Sequence, residues 1–358
     1  MKFLVIRFSS IGDIVLTTPA IRCLKQQVDN AEVHFLTKYN FKAVTEGNPY
    51  IDKFFYFKDN LSFLIKDLQL EEYDYIIDLH HNFRSKRIAW ALNVKVLTYN
   101  KERYEKFLLT KLHVNKMSGR HIVDRCLDTL LPLAVKNDRK GMDYFIPQNC
   151  EIKIEDLPMP HMVGYVAIVI GASYYTKKLP VHKLQELCKK LVYPIILVGG
   201  KEDFKEAQEI ASVDTIRIYN ACGKFNLHES ADLVRKSKLV ISHDTGLQYI
   251  ACAFNKPVLA IWGGTSPLLD VEPYYAEGNI NRYENFLVKG LTCQPCSNFG
   301  TKACPKKHFK CMEEQNIDAI VMSANGSLSG IVVLAGILGI ITLIAATALH
   351  LNNIQTNK

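Results

Sequence analysis

The sequence predicts an α/β protein built from two Rossmann-like domains that face each other across a cleft. Three observations carry that expectation. Short β-rich runs alternate with amphipathic helical stretches, as βαβ units around a parallel sheet require. A polar, proline-containing stretch, "EIKIEDLPMPHMVG" (151–164), interrupts the alternation once and reads as a linker. Both halves contain a strand that runs into an aspartate and a glycine and resumes as a helix. A length of 358 residues fits two domains.

The strands of the first half read "KFLVIR", "AEVHFLT", "KFFYF", "YDYIIDL" and "VKVLTY", giving a domain over 1–150. The first strand leads into "FSSIGDIVLTTPAI", with Gly12 and Asp13 at the turn. After the linker the pattern restarts with "YVAIVIGAS", "PIILVGG", "TIRIYN", "KLVISHD" and "KPVLAIWGG", a second domain over 165–322. Near the end, "GIVVLAGILGIITLIAATAL" (330–349) has no charge and the length of a bilayer span. It reads as a membrane helix or as a buried core helix, and the missing polar face favours the membrane. Lys302, Lys306, Lys307 and Lys310 crowd its upstream side and only Lys358 lies beyond, which places the body on the cytoplasmic side.

Composition narrows the function. A net charge of +8 suits anionic partners such as nucleotide diphosphates or a membrane surface, or is ordinary solubility charge. The positives are spread out and no nucleic-acid-binding module is recognisable, so no nucleic acid partner is expected. The opening "MKFLVIRFSS" is a strand with a charge at Arg7 and no cleavage site, so a cytoplasmic body without a signal peptide is expected. Six of the ten cysteines are scattered singly, mostly in apolar runs, as buried reduced thiols are.

The strand-end turns carry the chemistry. No G-x-G-x-x-G follows the first strand, which weakens a nicotinamide dehydrogenase reading. "GGKED" has Glu202 after its lysine, so a nucleotide-binding P-loop is unsupported. The second domain offers turns at 171–178, 199–203, 244–247 and 263–267, and the helix after Thr245 presents free N–H groups to a phosphate. "GASYYTKKLP" sets Lys177 and Lys178 beside that position. Asp244 and Asp13 each have two readings, as helix N-caps or as functional carboxylates. For Asp13 the functional reading is a general base at the cleft edge of the first domain.

"FSSIGDIVLTTPAIRCLK", "DLHHNFRS", "GASYYTKKLP", "LVGGKED" and "SHDTGLQYIACAFNKPVLAIWGGTSP" occur in the order found in the bacterial heptosyltransferases, glycosyltransferase family nine. The chain resembles that family over 1–322. The resemblance implies the two-domain GT-B fold and transfer of a heptose from an ADP-activated donor to the growing lipopolysaccharide core. It also implies inversion at the anomeric carbon and no catalytic metal, and the chain indeed has no D-x-D pair. It further implies that Asp13 is the general base and that Lys177 contacts the donor phosphates. Asp244, Thr245, Gly246 and Leu247 would form the donor-binding turn, with Glu202 at the nucleotide ribose. Family members associate peripherally with the inner membrane, and the apolar tail is not a general feature of theirs. Gln248 and Tyr249 stand where many members carry a histidine.

Two readings stay open for "CQPCSNFGTKACPKKHFKC". Cys293, Cys296, Cys304 and Cys311 have the ligand type and spacing of a structural zinc site, or they are free thiols packing a loop. Beside the heptosyltransferase stand two other readings: the same fold acting on another nucleotide sugar or acceptor, and a non-catalytic nucleotide-binding protein anchored by its tail.

Overall fold

The computed structural model describes residues 1–279 and 282–329. The first sheet has β1 (Lys2–Ile6), β2 (Glu32–Lys38), β3 (Lys53–Phe57), β4 (Tyr75–Asp78) and β5 (Lys95–Thr98), in the order β3-β2-β1-β4-β5. The second has β6 (Val166–Val169), β7 (Ile195–Val198), β8 (Ile218–Asn220), β9 (Leu239–His243), β10 (Val258–Ile261) and β11 (Tyr283–Phe286), ordered β11-β10-β9-β6-β7-β8. Every pairing is parallel. The expected two-sheet α/β architecture is borne out. β1 to β10 fall on the apolar runs. β11 escapes that reading because it is an edge strand with one neighbour, and of "YENF" only Phe286 is fully buried.

The strand orders locate the functional ends. Strand order reverses between β1 and β4 in the first sheet, and between β6 and β9 in the second. Ligands of open α/β sheets bind outside the carboxyl ends of strands at such switch points. β1 lies between β2 and β4 with Phe3, Leu4, Val5 and Ile6 all at 0% exposure. β9 lies between β10 and β6 and is buried along its length. Asp13 follows β1 and Asp244 follows β9, so both carboxylates stand at a switch point.

The helices that follow these strands meet. β1 leads into α1 (Ile11–Val15) and α2 (Thr18–Gln27), while α3 (Leu227–Lys236) precedes β9 and α4 (Gly246–Ala253) follows it. A Cβ on Gly12 would come within 2.7 Å of the Tyr249 ring, and one on Gly246 within 2.6 Å of the Ile11 side chain. The two glycines singled out at the turns are therefore what lets α1 and α4 touch across the domain boundary. Ile14, Val15 and Leu24 belong to one apolar cluster with Tyr249, Ile250 and Tyr275, so the seam between the sheets is continuous core. Each fully buried apolar side chain there contributes ~1.5–3 kcal/mol relative to exposure. Within the first domain, the buried Arg22 pairs with Asp138 at 2.8 Å and with Asp143.

At the end of the described chain, helical residues 317–329 turn Ile317, Ile320, Ala324 and Leu328 into the core of the second sheet. The apolar run expected to form a membrane helix, 330–349, lies outside the described residues. Among the described residues no helix is long and apolar enough to cross a membrane.

Candidate active site

A cleft of about 540 Å³ opens between the carboxyl ends of the two sheets. Arg7, Ser10, Gly12 and Asp13 line it from the first domain, and Ser173, Lys177, Asp244, Thr245 and Gly246 from the second. The fold thus brings most of the expected site residues to one place.

On the first side, Ser10 is the N-cap of α1, and Asp13 is its third residue rather than its cap. Asp13 Oδ2 accepts the Ser10 N–H (3.0 Å) and the Ser10 hydroxyl (2.9 Å). Its Oδ1 pairs with Arg7 Nη2 at 2.7 Å, and 27% of the side chain stays exposed to the cleft. Burial pushes the Asp13 carboxyl up, but Arg7, the Ser10 hydrogen bonds and Lys177 across the cleft outweigh it and hold it below the usual aspartate range. Arg7 is itself buried just beyond β1. Its guanidinium donates to the carbonyls of Leu79 and Ser9, so it is fixed before it meets the carboxylate.

On the second side, Thr245 is the N-cap of α4, and Asp244 stands one residue outside the helix. Capping therefore does not account for Asp244. The carboxylate is buried and pairs through Oδ2 with Lys177 Nζ at 2.7 Å, while the Thr265 hydroxyl donates to the same oxygen at 2.8 Å. Tyr249, buried behind it, donates to the Val271 carbonyl at 2.7 Å, with Asp244 Oδ1 3.3 Å away. The neighbouring lysine is turned elsewhere: Lys178 binds Asp203 at 2.9 Å and Glu206 at 2.5 Å. His243 ties the strand end to this loop, its Nε2 accepting the Leu179 N–H at 2.9 Å, and burial holds the ring neutral with a pKa of about 3.

Two expected residues stand apart. Leu247 does not line the cleft and packs into the apolar seam between the domains. Glu202 is exposed after β7 and also lies outside the cleft lining, with its carboxylate folded over Gly200. The cleft holds cations that the sequence reading passed over: Arg7, Lys101, Arg103 and Lys106. Burial, then the charge of Arg7, lowers Lys101 to about 8, and burial, then Arg125, lowers Lys106 to about 8. Arg7 had a usable signal, a charged residue completing an apolar strand. Lys101, Arg103 and Lys106 had none, because nothing local separates them from solvated lysines.

A structural zinc site is not shown. Among the described residues the one group of three ligand-type side chains within 4.8 Å of each other is Glu32, His34 and Glu71. Those carboxylates are already paired with Lys2 and Lys53. The four clustered cysteines are not in that group, although they sit near one another: burial first, then the neighbouring clustered thiols, pushes Cys296 and Cys311 up. Cys311 is buried beside Phe309 and Met312, the Cys296 thiol faces the Gly264 carbonyl at 3.6 Å, and Cys293 lies 3.8 Å from His308 Nε2. Their loop is also a brace. The Cys296 N–H donates to Gly264 O (3.0 Å) and the Gln294 amide to Gly263 O (2.7 Å). The Gly264 N–H in turn donates to Thr176 O (2.7 Å), and the Thr301 N–H to the Thr176 hydroxyl (2.8 Å). The strand ends that carry Thr265 and Lys177 are thereby bound to one loop.

Residues 62–303, more than half of the chain, match the family model described as glycosyltransferase family 9 (heptosyltransferase). The chain belongs to this family. This family 9 glycosyltransferase is 23% identical over 292 residues to lipopolysaccharide heptosyltransferase 1 of Campylobacter coli, covering 74% of this chain and 84% of the relative. Its fold is that of the Escherichia coli ADP-heptose lipopolysaccharide heptosyltransferase II, with a TM-score of 0.70 at 17% identity over 92% of this chain and 99% of that one. A dodecameric iron-containing heptosyltransferase, TibC, solved with ADP-D-β-D-heptose, shares the fold at a TM-score of 0.53 and 12% identity, over 92% and 75% of the chains. The expected GT-B architecture is borne out with the family.

Proposed function

We propose that this glycosyltransferase moves a heptose from ADP-heptose to a sugar of the lipopolysaccharide core precursor, with inversion and without a catalytic metal. One observation supports this above the others: Asp13 and the Lys177–Asp244 pair face a single cleft from the two switch points. The donors named for its relatives suit a cleft with a free helix N-terminus and a lysine on one wall.

In this reading the division at the linker separates tasks, residues 1–150 holding the acceptor and 165–322 the donor. The acceptor hydroxyl oxygen attacks the anomeric carbon, and Asp13 takes its proton as general base. The bond from that carbon to the diphosphate oxygen breaks as the new glycosidic bond forms, and ADP leaves with the electron pair. Lys177 and the N–H groups at the start of α4 stabilise the charge that develops on the leaving diphosphate. Asp244 holds Lys177 in place and accepts hydrogen bonds from sugar hydroxyls, while Glu202, after β7, reaches the ribose of a nucleotide laid along the strand ends. Leu247 supports the turn from behind, within the seam. The cations at 101–106 suit an anionic acceptor. The body works at the cytoplasmic face of the inner membrane, where such an acceptor is assembled.

The test is to incubate the purified protein with ADP-heptose and a core precursor lacking heptose. Stoichiometric ADP release together with a product heavier by one heptose supports the reading. Transfer from a different nucleotide sugar only, or ADP binding without transfer under any pairing, overturns it.

A further inference from the structure

The loop that carries Cys293 to Cys311 also sends a turn into the cleft, and the proposed transfer gives that turn no task. Asn298 and Phe299 line the cleft together with Ser173 and Lys177. They are the tip of a turn closed by Ser297, whose hydroxyl accepts the N–H groups of Phe299 (3.2 Å) and Gly300 (3.1 Å). Gly300 has φ +92°, the left-handed region that favours glycine. A Cβ there would come within 2.8 Å of Tyr174 Cβ and 3.0 Å of Lys177 Cγ, so the turn lies against the stem of Lys177. Both ends are tied down: the Ser297 N–H donates to Gly264 O, and the Thr176 N–H to Thr301 O, each at 3.2 Å. The tip itself is unsatisfied. Phe299 is 65% exposed, and Asn298 Oδ1 is enclosed without a hydrogen-bond partner among the described residues. A lone aromatic on open surface would be ordinary, but this one is fixed in a cleft beside an unmet acceptor. Ligand sites combine an aromatic wall with a few placed polar groups in that way.

We propose that the Asn298–Phe299 tip reads the transferred sugar of the nucleotide donor, an inference that rests on the proposed function. Strand order decides which end of the donor reaches it. Glu202 follows β7 on one side of the central pair β6 and β9, whereas Gly264, to which the turn is tied, follows β10 on the other. With the ribose toward Glu202 and the diphosphate at Lys177 and the start of α4, the sugar is the end that lies toward the turn. The Phe299 ring covers a C–H face of that sugar, whose hydrogens are drawn to the negative face of the ring. Asn298 accepts a hydrogen bond from one of its hydroxyls. A site built to meet a sugar hydroxyl rejects a donor that lacks it, because the protein acceptor is then left unpaired. The tip therefore acts on the choice of sugar and adds nothing to the hold on ADP.

The test is calorimetry on the full-length protein without acceptor, using ADP, ADP-heptose and the hexose donor ADP-mannose. Phe299→Ala should weaken ADP-heptose binding about tenfold and ADP binding by less than about twofold. Phe299→Tyr keeps the ring and should restore the sugar's share. Asn298→Ala should likewise weaken ADP-heptose about tenfold and spare ADP. Equal losses on ADP and ADP-heptose overturn the proposal, because the turn would then act only through the nucleotide or the brace. Unchanged binding of both ligands by Phe299→Ala and Asn298→Ala overturns it as well. A wild type that binds ADP-mannose and not ADP-heptose defeats the heptose reading alone, and the same variants measured on ADP-mannose then decide the tip. A wild type that binds neither nucleotide sugar overturns both.

Discussion

Asp13 and Asp244 stand at equivalent points of the two sheets, each just beyond a buried central strand and each beside a cation. The surroundings differ. Asp13 keeps 27% of its side chain exposed, and its cation, Arg7, comes from the end of the same strand. Asp244 keeps 9% and meets Lys177 from a different loop, with Thr265 on the same oxygen. A carboxylate that is ionised, oriented and open to the cleft suits proton transfer. One enclosed by a lysine, a hydroxyl and a tyrosine suits holding a ligand in fixed geometry. In the proposed reading the same turn thus serves reaction in one domain and recognition in the other, according to what its neighbours leave exposed.

The comparison breaks most sharply at Lys177. Lys177→Ala should lower kcat/KM by ~2–4 kcal/mol, since a point charge facing the leaving diphosphate is lost. It should also weaken ADP binding, measured by calorimetry. Lys178→Ala should leave donor handling nearly intact, because Lys178 is spent on Asp203 and Glu206. If Lys178→Ala is the damaging change and Lys177→Ala is silent, the roles within the pair are reversed.

Thr265 sharpens the recognition side. Its hydroxyl donates to the oxygen of Asp244 that Lys177 also binds. Hydrogen bonds to charged groups contribute ~1.5–3 kcal/mol, so Thr265→Val should raise the donor KM about tenfold or more. Thr265→Ser should restore it, and kcat should change less than KM. Equal losses in both parameters, without rescue by serine, would mean a general packing defect.

Arg7 sharpens the reactive side through pH. Asp13 is held below the usual aspartate range, so it is ionised at neutral pH and loses its charge only as pH falls through that lowered value. The acid limb of kcat/KM should therefore lie below the ordinary aspartate range. Arg7→Gln removes the largest charge favouring the ionised form, so the carboxyl should rise and the limb should move to higher pH. An acid limb that does not move would detach the pH dependence from Asp13.

Much of this was legible in the sequence because it is local. Apolar runs bounded by Gly12 or Asp244 mark strand ends, where open α/β sheets bind ligands, while the strand order that makes them switch points is set by the packed sheets. β11 was missed because an edge strand needs little apolar surface, and "YENF" shows little. The partnership of Gly12 with Gly246 was not legible, since it joins residues of different domains that only the packed seam brings together. The cysteine spacing leaves its two readings open for a related reason. Spacing along the chain does not state where a thiol points, and here the main chain of that loop braces Gly264 and Thr176. Lys101 and Lys106 are marked only by burial among other cations.

The division of labour between the two carboxylates is tested most directly by Asp13→Asn, with sugar transfer and ADP binding measured on the same preparation. The amide cannot take the acceptor proton, so transfer should fall by roughly a hundredfold or more. ADP affinity should stay as in the wild type, because in the proposed reading the nucleotide side rests on Lys177 and the turn after β9. Near-normal transfer by Asp13→Asn would contradict the account and require a different base in the cleft.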